Sequence, residues 1–229
     1  MNLLILDAET TGLVPGEDKV IELGMVLYNV ESQRIIETQG FLIHREGLGV
    51  PGFITKINGL TTEVLKSGLD VNGTVYRLQS LMLESTYIVG HNINEFDLPH
   101  LKALAQEVGE ELPARPTIDT RTDLPLKEKP TSFSLRNLLL DHEMINYFPH
   151  GAVTDSLMTL KLLTKYDIME VIERSKVPTI KVQAVVSFAD KDKAKNRGFH
   201  WQANEKQWTT TMKEDLYKPN EFDFKTRVL

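Results

Sequence analysis

Cysteine is absent from the 229 residues. Its absence excludes disulfides, Cys-ligated zinc, iron–sulfur clusters and thiol nucleophiles, and it agrees with the reducing cytoplasm in which we place the chain. Long apolar runs are also missing. The N-terminal one, Leu3–Leu6, has four residues and no basic segment before it, so neither a secretory signal nor a membrane span is expected. Internal repeats and low-complexity tracts are not found. Cations are in short supply: 26 Lys+Arg stand against 32 Asp+Glu, a net charge of −6. The shortage is uneven. Residues 1–175 carry 15 Lys+Arg against 25 Asp+Glu, whereas residues 176–229 carry 11 against 7. An acidic body excludes wide phosphate-backbone binding, which needs many Lys and Arg, but it allows a short end to be gripped through metal ions. The basic tail can add non-specific attraction.

What is present is ordinary globular composition, 41% hydrophobic and 25% charged, in a length that suits one well-buried domain plus a small appendage. Strands are predicted at Asn2–Asp7, Val20–Val30, Ile35–Ile43, Tyr87–Gly90 and Thr117–Asp119. The first three are close enough in sequence for an antiparallel meander, and the later ones alternate with helical patterns. Val75, Leu78 and Met82 share one helical face; Leu98, Leu101, Leu104 and Ala105 share another; Ala152, Leu157, Leu160 and Leu163 outline a third. The expected architecture is a mixed α/β sheet flanked by helices. A boundary is placed at Arg174–Thr179, where the charge balance changes and Pro178 disfavours helix, dividing the chain into 1–175 and 176–229. The second part reads as a strand over Ile180–Phe188, a charged helix over Asp190–Arg197 closed by Gly198, and a hairpin over Phe199–Met212 around Ala203–Lys206.

Three segments carry chemistry. Asp7-Ala8-Glu9-Thr10-Thr11-Gly12 follows the buried run Leu3–Leu6, and residues two apart on a strand point the same way. Two carboxylates aimed at one point repel each other unless a cation lies between them, and hard oxygen ligands favour Mg²⁺ or Mn²⁺. His91-Asn92-Ile93-Asn94-Glu95-Phe96-Asp97 follows a short strand and opens a helix. His150-Gly151-Ala152-Val153-Thr154-Asp155 begins another. Five helical residues turn through about 140° net, so His150 and Asp155 cannot share a helical face. His150 is therefore expected on the entering loop, after Pro149, and Asp155 inside the helix.

Taken singly, each motif has a plainer reading: a loop pair or cap for Asp7 and Glu9, a helix N-terminal charge for Asp97, a surface histidine for His150. Together they resemble the three exonuclease motifs of the DEDDh branch of the DnaQ-like 3′→5′ exonucleases: Asp-x-Glu-Thr-Thr-Gly, His-Asn-x-x-x-Phe-Asp and His-x-Ala-x-x-Asp. The resemblance covers residues 1 to about 170 and is nearest to short exonucleases of the exonuclease X type. Ile57-Asn58-Gly59-Leu60-Thr61 and Ile118-Asp119-Thr120 echo two further family segments, with Asn58 standing where the family usually has His.

The resemblance implies an RNase H-like five-stranded mixed sheet and a two-metal mechanism with two Mg²⁺, for which Mn²⁺ can substitute. Asp7 would bridge the ions, Glu9 and Asp155 would hold the one serving the attacking water, Asp97 would serve the second, and His150 would be the general base. Histidine titrates close to neutrality, which suits that role. The product would be a nucleoside 5′-monophosphate from a 3′ end. Thr10, Thr11 and Gly12 would meet the terminal 3′-hydroxyl, with Gly12 permitting close approach. Leu13 and Phe96 are read either as a wedge and stacking pair against the terminal base or as core. Glu22 and Asp119 are read as structural, and His91 and Asn92 as ordering their loop.

In the tail, Lys195, Arg197, Trp201 and Trp208 are candidate nucleic-acid contacts, by phosphate attraction and stacking. A module of this size also needs a core, and the two tryptophans are its expected centre. The tail resembles a small Trp-containing module attached to DNA-processing proteins. The expected substrate is DNA with a single-stranded or frayed 3′ end. An RNase or oligoribonuclease of the same chemistry is the nearest alternative, because no residue here settles the 2′-hydroxyl. A polymerase-associated proofreading subunit would need a polymerase-binding tail, and none is identifiable; a non-catalytic binding subunit would predict a broken motif set, yet all four carboxylates and the histidine are present. Protein partners are not indicated.

Overall fold

The computed structural model describes residues 1–128, 130–203 and 205–229. The chain divides into two compact units, Met1–Ile172 and Glu173–Leu229.

The first unit is built on β1 (Asn2–Thr10), β2 (Val20–Asn29) and β3 (Arg34–Leu42), an antiparallel meander. Then come α1 (Gly52–Asn58), α2 (Thr62–Leu65), α3 (Val71–Glu84), β4 (Tyr87–Gly90), α4 (Asp97–Gln106), β5 (Thr117–Asp119), α5 (Leu135–Asp141), α6 (Ala152–Leu163) and α7 (Ile168–Ser175), the last crossing the division. The sheet order is β3-β2-β1-β4-β5, with β4 and β5 parallel to β1. This is the mixed five-stranded α/β sheet the sequence predicts; the short α1, α2, α5 and α7 are additions to it.

Leu3–Leu6 is apolar on both faces because β1 is the central strand, covered on both sides. Leu4, Leu6 and Ala8 pack in one cluster with Val75, Leu78 and Met82 of α3 and Leu101 and Leu104 of α4. Leu3 and Ile5 pack in the other, with Leu138 of α5, Leu160 and Leu163 of α6 and Val171 of α7. Full burial of each such side chain contributes about 1.5–3 kcal/mol. Two glycines let α6 sit directly on the sheet. A Cβ on Gly24 would lie 2.2 Å from the Ala152 carbonyl, and one on Gly40 2.3 Å from Val153 Cγ2.

The second unit is a four-stranded sheet ordered β7-β8-β6-β9, from β6 (Thr179–Val185), β7 (His200–Gln202), β8 (Gln207–Lys213) and β9 (Lys225–Val228), with α8 (Lys191–Asn196) between β6 and β7. β7 and β8 form the expected hairpin; its turn, Ala203–Lys206, includes Asn204, which lies outside the described residues. Two expectations change. β6 ends at Val185, and Phe188 enters a 3₁₀ turn and is exposed. The centre of the unit is Phe199, not the tryptophan pair. Gly198 turns the chain at φ +85°, and Phe199 is buried against Val182, Ala184 and Ala194, edge-on to Phe222 and Phe224. β9, which delivers that aromatic tail, has no counterpart in the sequence prediction.

Candidate active site

β1 outruns its parallel neighbour. Its pairing with β4 stops at Ile5↔Val89, whereas its pairing with β2 continues through Glu9↔Glu22 to a shift before Thr10. Residues 7–10 thus have a strand on one side and an open edge on the other, at the C-terminal ends of β1 and β4. Ligands in α/β folds collect at such strand ends. The Ala8 N–H on that edge donates to Asp97 Oδ1 at 2.9 Å, which brings the first residue of α4 against the first motif. Asp7 and Glu9 share the face of Leu3 and Ile5, the face that α6 covers.

α6 brings the third motif. Gly151 is its N-cap and offers no side chain, so the Ala152 N–H donates instead to Glu22 Oε2 of β2 at 3.1 Å. Asp155 is in the first turn, and His150 is on the entering loop at φ +63°, as the sequence predicts. The Asp155 carboxylate accepts the His150 N–H on Oδ2 at 3.1 Å and the Asn146 amide on Oδ1. Among the described residues, ligand atoms of Glu9, His150 and Asp155 lie within 4.8 Å of one another. Asp7 and Asp97 stand beside that trio rather than in it.

The electrostatics are those of crowded acid groups. Burial raises the Asp7 carboxyl well above the usual range, and Asp97, Asp155, Glu9 and Glu22 add to the effect. Burial pushes Asp97 up to about 7, against the Ala8 N–H and with Asp119 and Glu9. Glu9 is raised by burial and partly restored by the Asn58 amide and by His150; Asp155 is raised by burial and partly restored by the His150 N–H and ring and by Asn146. Glu22 is raised by burial, opposed by the Ala152 N–H. Four oxygen-ligand side chains held this way form a donor set that fits hard divalent cations, whose charge would offset the repulsion.

The turn after Glu9 is tied by hydrogen bonds. Thr11 exchanges hydrogen bonds with Lys19, and its hydroxyl donates to Asp18, whose other oxygen accepts the Val14 N–H at 2.9 Å. The close approach that Gly12 permits in the structure is to Asp18: a Cβ there would lie 2.5 Å from its carboxylate. Thr10 and Thr11 are buried. Leu13 is 80% exposed, which removes the core reading for it. Phe96 is half-buried and lies 4.8 Å from the His100 ring. Asp119 accepts the N–H groups of Asn92 and Arg121, and His91 bridges Thr120 and the Phe133 carbonyl, so both support the loop that precedes Asp97. Burial lowers His91 to about 4.

Four contributors escaped the sequence reading: Asn58, Asn146, Asp18 and Gly24. No spacing rule links any of them to the motifs; only Asn58 left a trace, as a departure from the family pattern. In the second unit, Arg197 donates to the Glu221 carbonyl at 3.0 Å, Trp208 is half-buried, and Trp201 is 51% exposed with its ring 5.8 Å from that of Trp208.

Comparison with known proteins identifies the class. The RNase T family profile, described as exonuclease, matches residues 4–163, so the chain belongs to this exonuclease family. A DNA polymerase III of PolC type from Thermotoga petrophila is 28% identical over 163 residues, 71% of this chain and 12% of that protein. The DNA polymerase III subunit epsilon of Treponema pallidum is 28% identical over 162 residues, 69% of this chain and 73% of its own. The chain thus spans only a small fraction of the PolC-type relatives it matches. Among solved structures, E. coli exonuclease I in complex with a dT13 oligonucleotide superposes with a TM-score of 0.64 at 17% identity, covering 81% of this chain and 48% of that one. The nuclease domain of 3′hExo, a DEDDh family member bound to rAMP, superposes with a TM-score of 0.61 at 17% identity, covering 72% and 90%. The DnaQ-like resemblance and the RNase H-like fold expected from the motifs hold.

Proposed function

We propose that this protein is a metal-dependent 3′→5′ exonuclease that removes nucleoside 5′-monophosphates from DNA, preferring single-stranded or frayed 3′ ends. One observation carries the reading. β1, α4 and α6 bring Asp7, Glu9, Asp97 and Asp155 to the open edge of β1, where burial raises each carboxyl and neighbouring acids add to the rise at Asp7, Glu9 and Asp97, with His150 beside them.

Asp7, Glu9, Asp97 and Asp155 would hold two Mg²⁺ ions. When bound, the ions supply Lewis acidity toward the scissile phosphate and the departing 3′-oxygen. His150 takes a proton from the attacking water, on a loop pinned through its own N–H to Asp155. Backbone of Thr10–Gly12 binds the terminal 3′-hydroxyl, and exposed Leu13, with Phe96, lies against the terminal base. The second unit adds weak non-specific attraction through Lys195 and Arg197, and Trp201 offers a stacking face beside Trp208.

A time course on 3′- and 5′-labelled DNA and RNA, single- and double-stranded, with Mg²⁺ and Mn²⁺, tests polarity, sugar and strand preference together. Mononucleotide release from 3′ ends is expected, and Asp7→Ala is expected to abolish both cleavage and metal binding. Full activity in excess EDTA or in Asp7→Ala would sink the mechanism. The epsilon-subunit and PolC-type relatives favour a second reading, a proofreading partner of a polymerase. Faster excision of mismatched than matched 3′ termini, together with stable association with a replicative polymerase, would select it.

A further inference from the structure

Asn58 ends α1, and the turn after it passes through Gly59 at φ +77°. Both ends of its side-chain amide are engaged. The oxygen accepts the Leu60 N–H at 3.0 Å, and the nitrogen donates to Glu9 Oε2 at 3.1 Å. These two partners define the amide's orientation. A flipped Asn58 would set its NH₂ against the Leu60 N–H and its oxygen against a carboxylate, and both contacts repel. The turn has its own fastening: Thr55 Oγ1 donates to the Leu60 carbonyl at 2.6 Å, and the Gly59 N–H to the Thr55 carbonyl at 2.9 Å. Ile54 anchors α1 in a cluster with Ile21 and Leu65. A donor on a packed helix therefore holds a carboxylate 49 residues earlier in the chain, on the stretch of β1 that has lost its β4 neighbour.

We propose that Asn58 is the positioning residue for Glu9, its amide holding the carboxylate in the orientation that ligates a divalent cation. The inference rests on the reading of Glu9 as a metal ligand. Asn58 suits this role because a neutral donor orients the carboxylate without adding a positive charge that would repel the ion. With one oxygen bonded to Asn58, Glu9 keeps its second oxygen for coordination. Partners of ligating carboxylates contribute about 10–100-fold to metal affinity or activity.

The test is calorimetric titration of the full chain with Mn²⁺, beside the Mg²⁺ dependence of cleavage. Asn58→Ala is expected to weaken Mn²⁺ binding about tenfold and to raise the half-saturating Mg²⁺ concentration by a similar factor, with a smaller loss in kcat at saturating Mg²⁺. Asn58→Ser, too short to reach Glu9, is expected to match it and covers the case in which the alanine variant does not fold. Asn58→His supplies an N–H at similar reach and is expected to regain most of the affinity. Thr55→Ala loosens the same turn without touching Glu9 and should bind Mn²⁺ as the unaltered chain does. The proposal is overturned if Asn58→Ala and Asn58→Ser bind Mn²⁺ normally, or if Thr55→Ala weakens binding as much as they do. Failure of the metal-site reading looks different: the unaltered chain would bind no Mn²⁺, or its binding would survive Asp7→Ala.

Discussion

Asp97→Asn separates the cost of the acid cluster from its use. Asp97 is 3% exposed, and its carboxyl is held at about 7 against an ordinary 3.8, so little solvent screening applies. Burial is the first cause; the neighbouring carboxylates Asp119 and Glu9 add to it. The sign follows from proton linkage. A group with a raised folded pKa contributes stability that is complete below its unfolded value and is lost as pH rises through the folded one. In the metal-free protein, stability should therefore fall as pH rises from about 4 to about 7, by about 4 kcal/mol in all, as this carboxyl gives up its proton together with its acidic neighbours. Asparagine keeps an oxygen for the Ala8 N–H and carries no ionisation, and its NH₂ can donate to the neighbouring carboxylates. The variant should match the unaltered protein near pH 4, become progressively more stable than it up to about pH 7, and hold that margin at pH 8. Urea unfolding in EDTA at pH 4, 5, 6, 7 and 8 measures this. On the proposed metal-site reading, saturating Mg²⁺ should narrow the gap at pH 8, because ligand that binds only the native acid cluster stabilises the unaltered protein. A stability difference that stays flat from pH 4 to pH 8 would refute the argument that Asp97 is held protonated by its surroundings. The variant should lose cleavage throughout, so stability and activity move in opposite directions.

Three further outcomes follow from the geometry. His150→Ala should lower kcat by about 10²–10⁴ while leaving calorimetric Mn²⁺ binding nearly intact; unchanged kcat at neutral pH would remove it as the base. Gly24→Ala places a methyl 2.2 Å from the Ala152 carbonyl, so it should cost about 1–3 kcal/mol in urea unfolding and lower kcat by displacing α6; an unperturbed enzyme would show that α6 is free to retreat. Deleting residues 176–229 should shorten the run of nucleotides removed per encounter in a trap assay at low salt, with little change in single-turnover cleavage; unchanged processivity would remove the second unit from substrate binding.

The five strands of the sheet and the three chemical motifs were legible because each rests on local pattern. Apolar runs placed β1 and β2, and the Asp-x-Glu, Asn-to-Asp97 and His150-to-Asp155 spacings are strand and helix statements. The centre of the second unit was not legible: tryptophan is the larger ring, yet Gly198 turns Phe199 inward, and β9 brings Phe222 and Phe224 to meet it. Leu13 could be read from sequence as wedge or core, and its exposure came only from the fold.

The sequence by itself determined which groups could do chemistry: four carboxylates and a histidine on predictable elements, without a cysteine to offer another route. Tertiary structure alone decided how those groups are held. The early end of the β1–β4 pairing freed the Ala8 N–H for Asp97. Gly24 let α6 descend onto β2, where Glu22 caps it, and α1 carried Asn58 to Glu9. These contacts join residues tens of positions apart through single hydrogen bonds and van der Waals gaps. Neither leaves a periodicity or a spacing in the chain, because the distances involved are set by how helices pack on a twisted sheet.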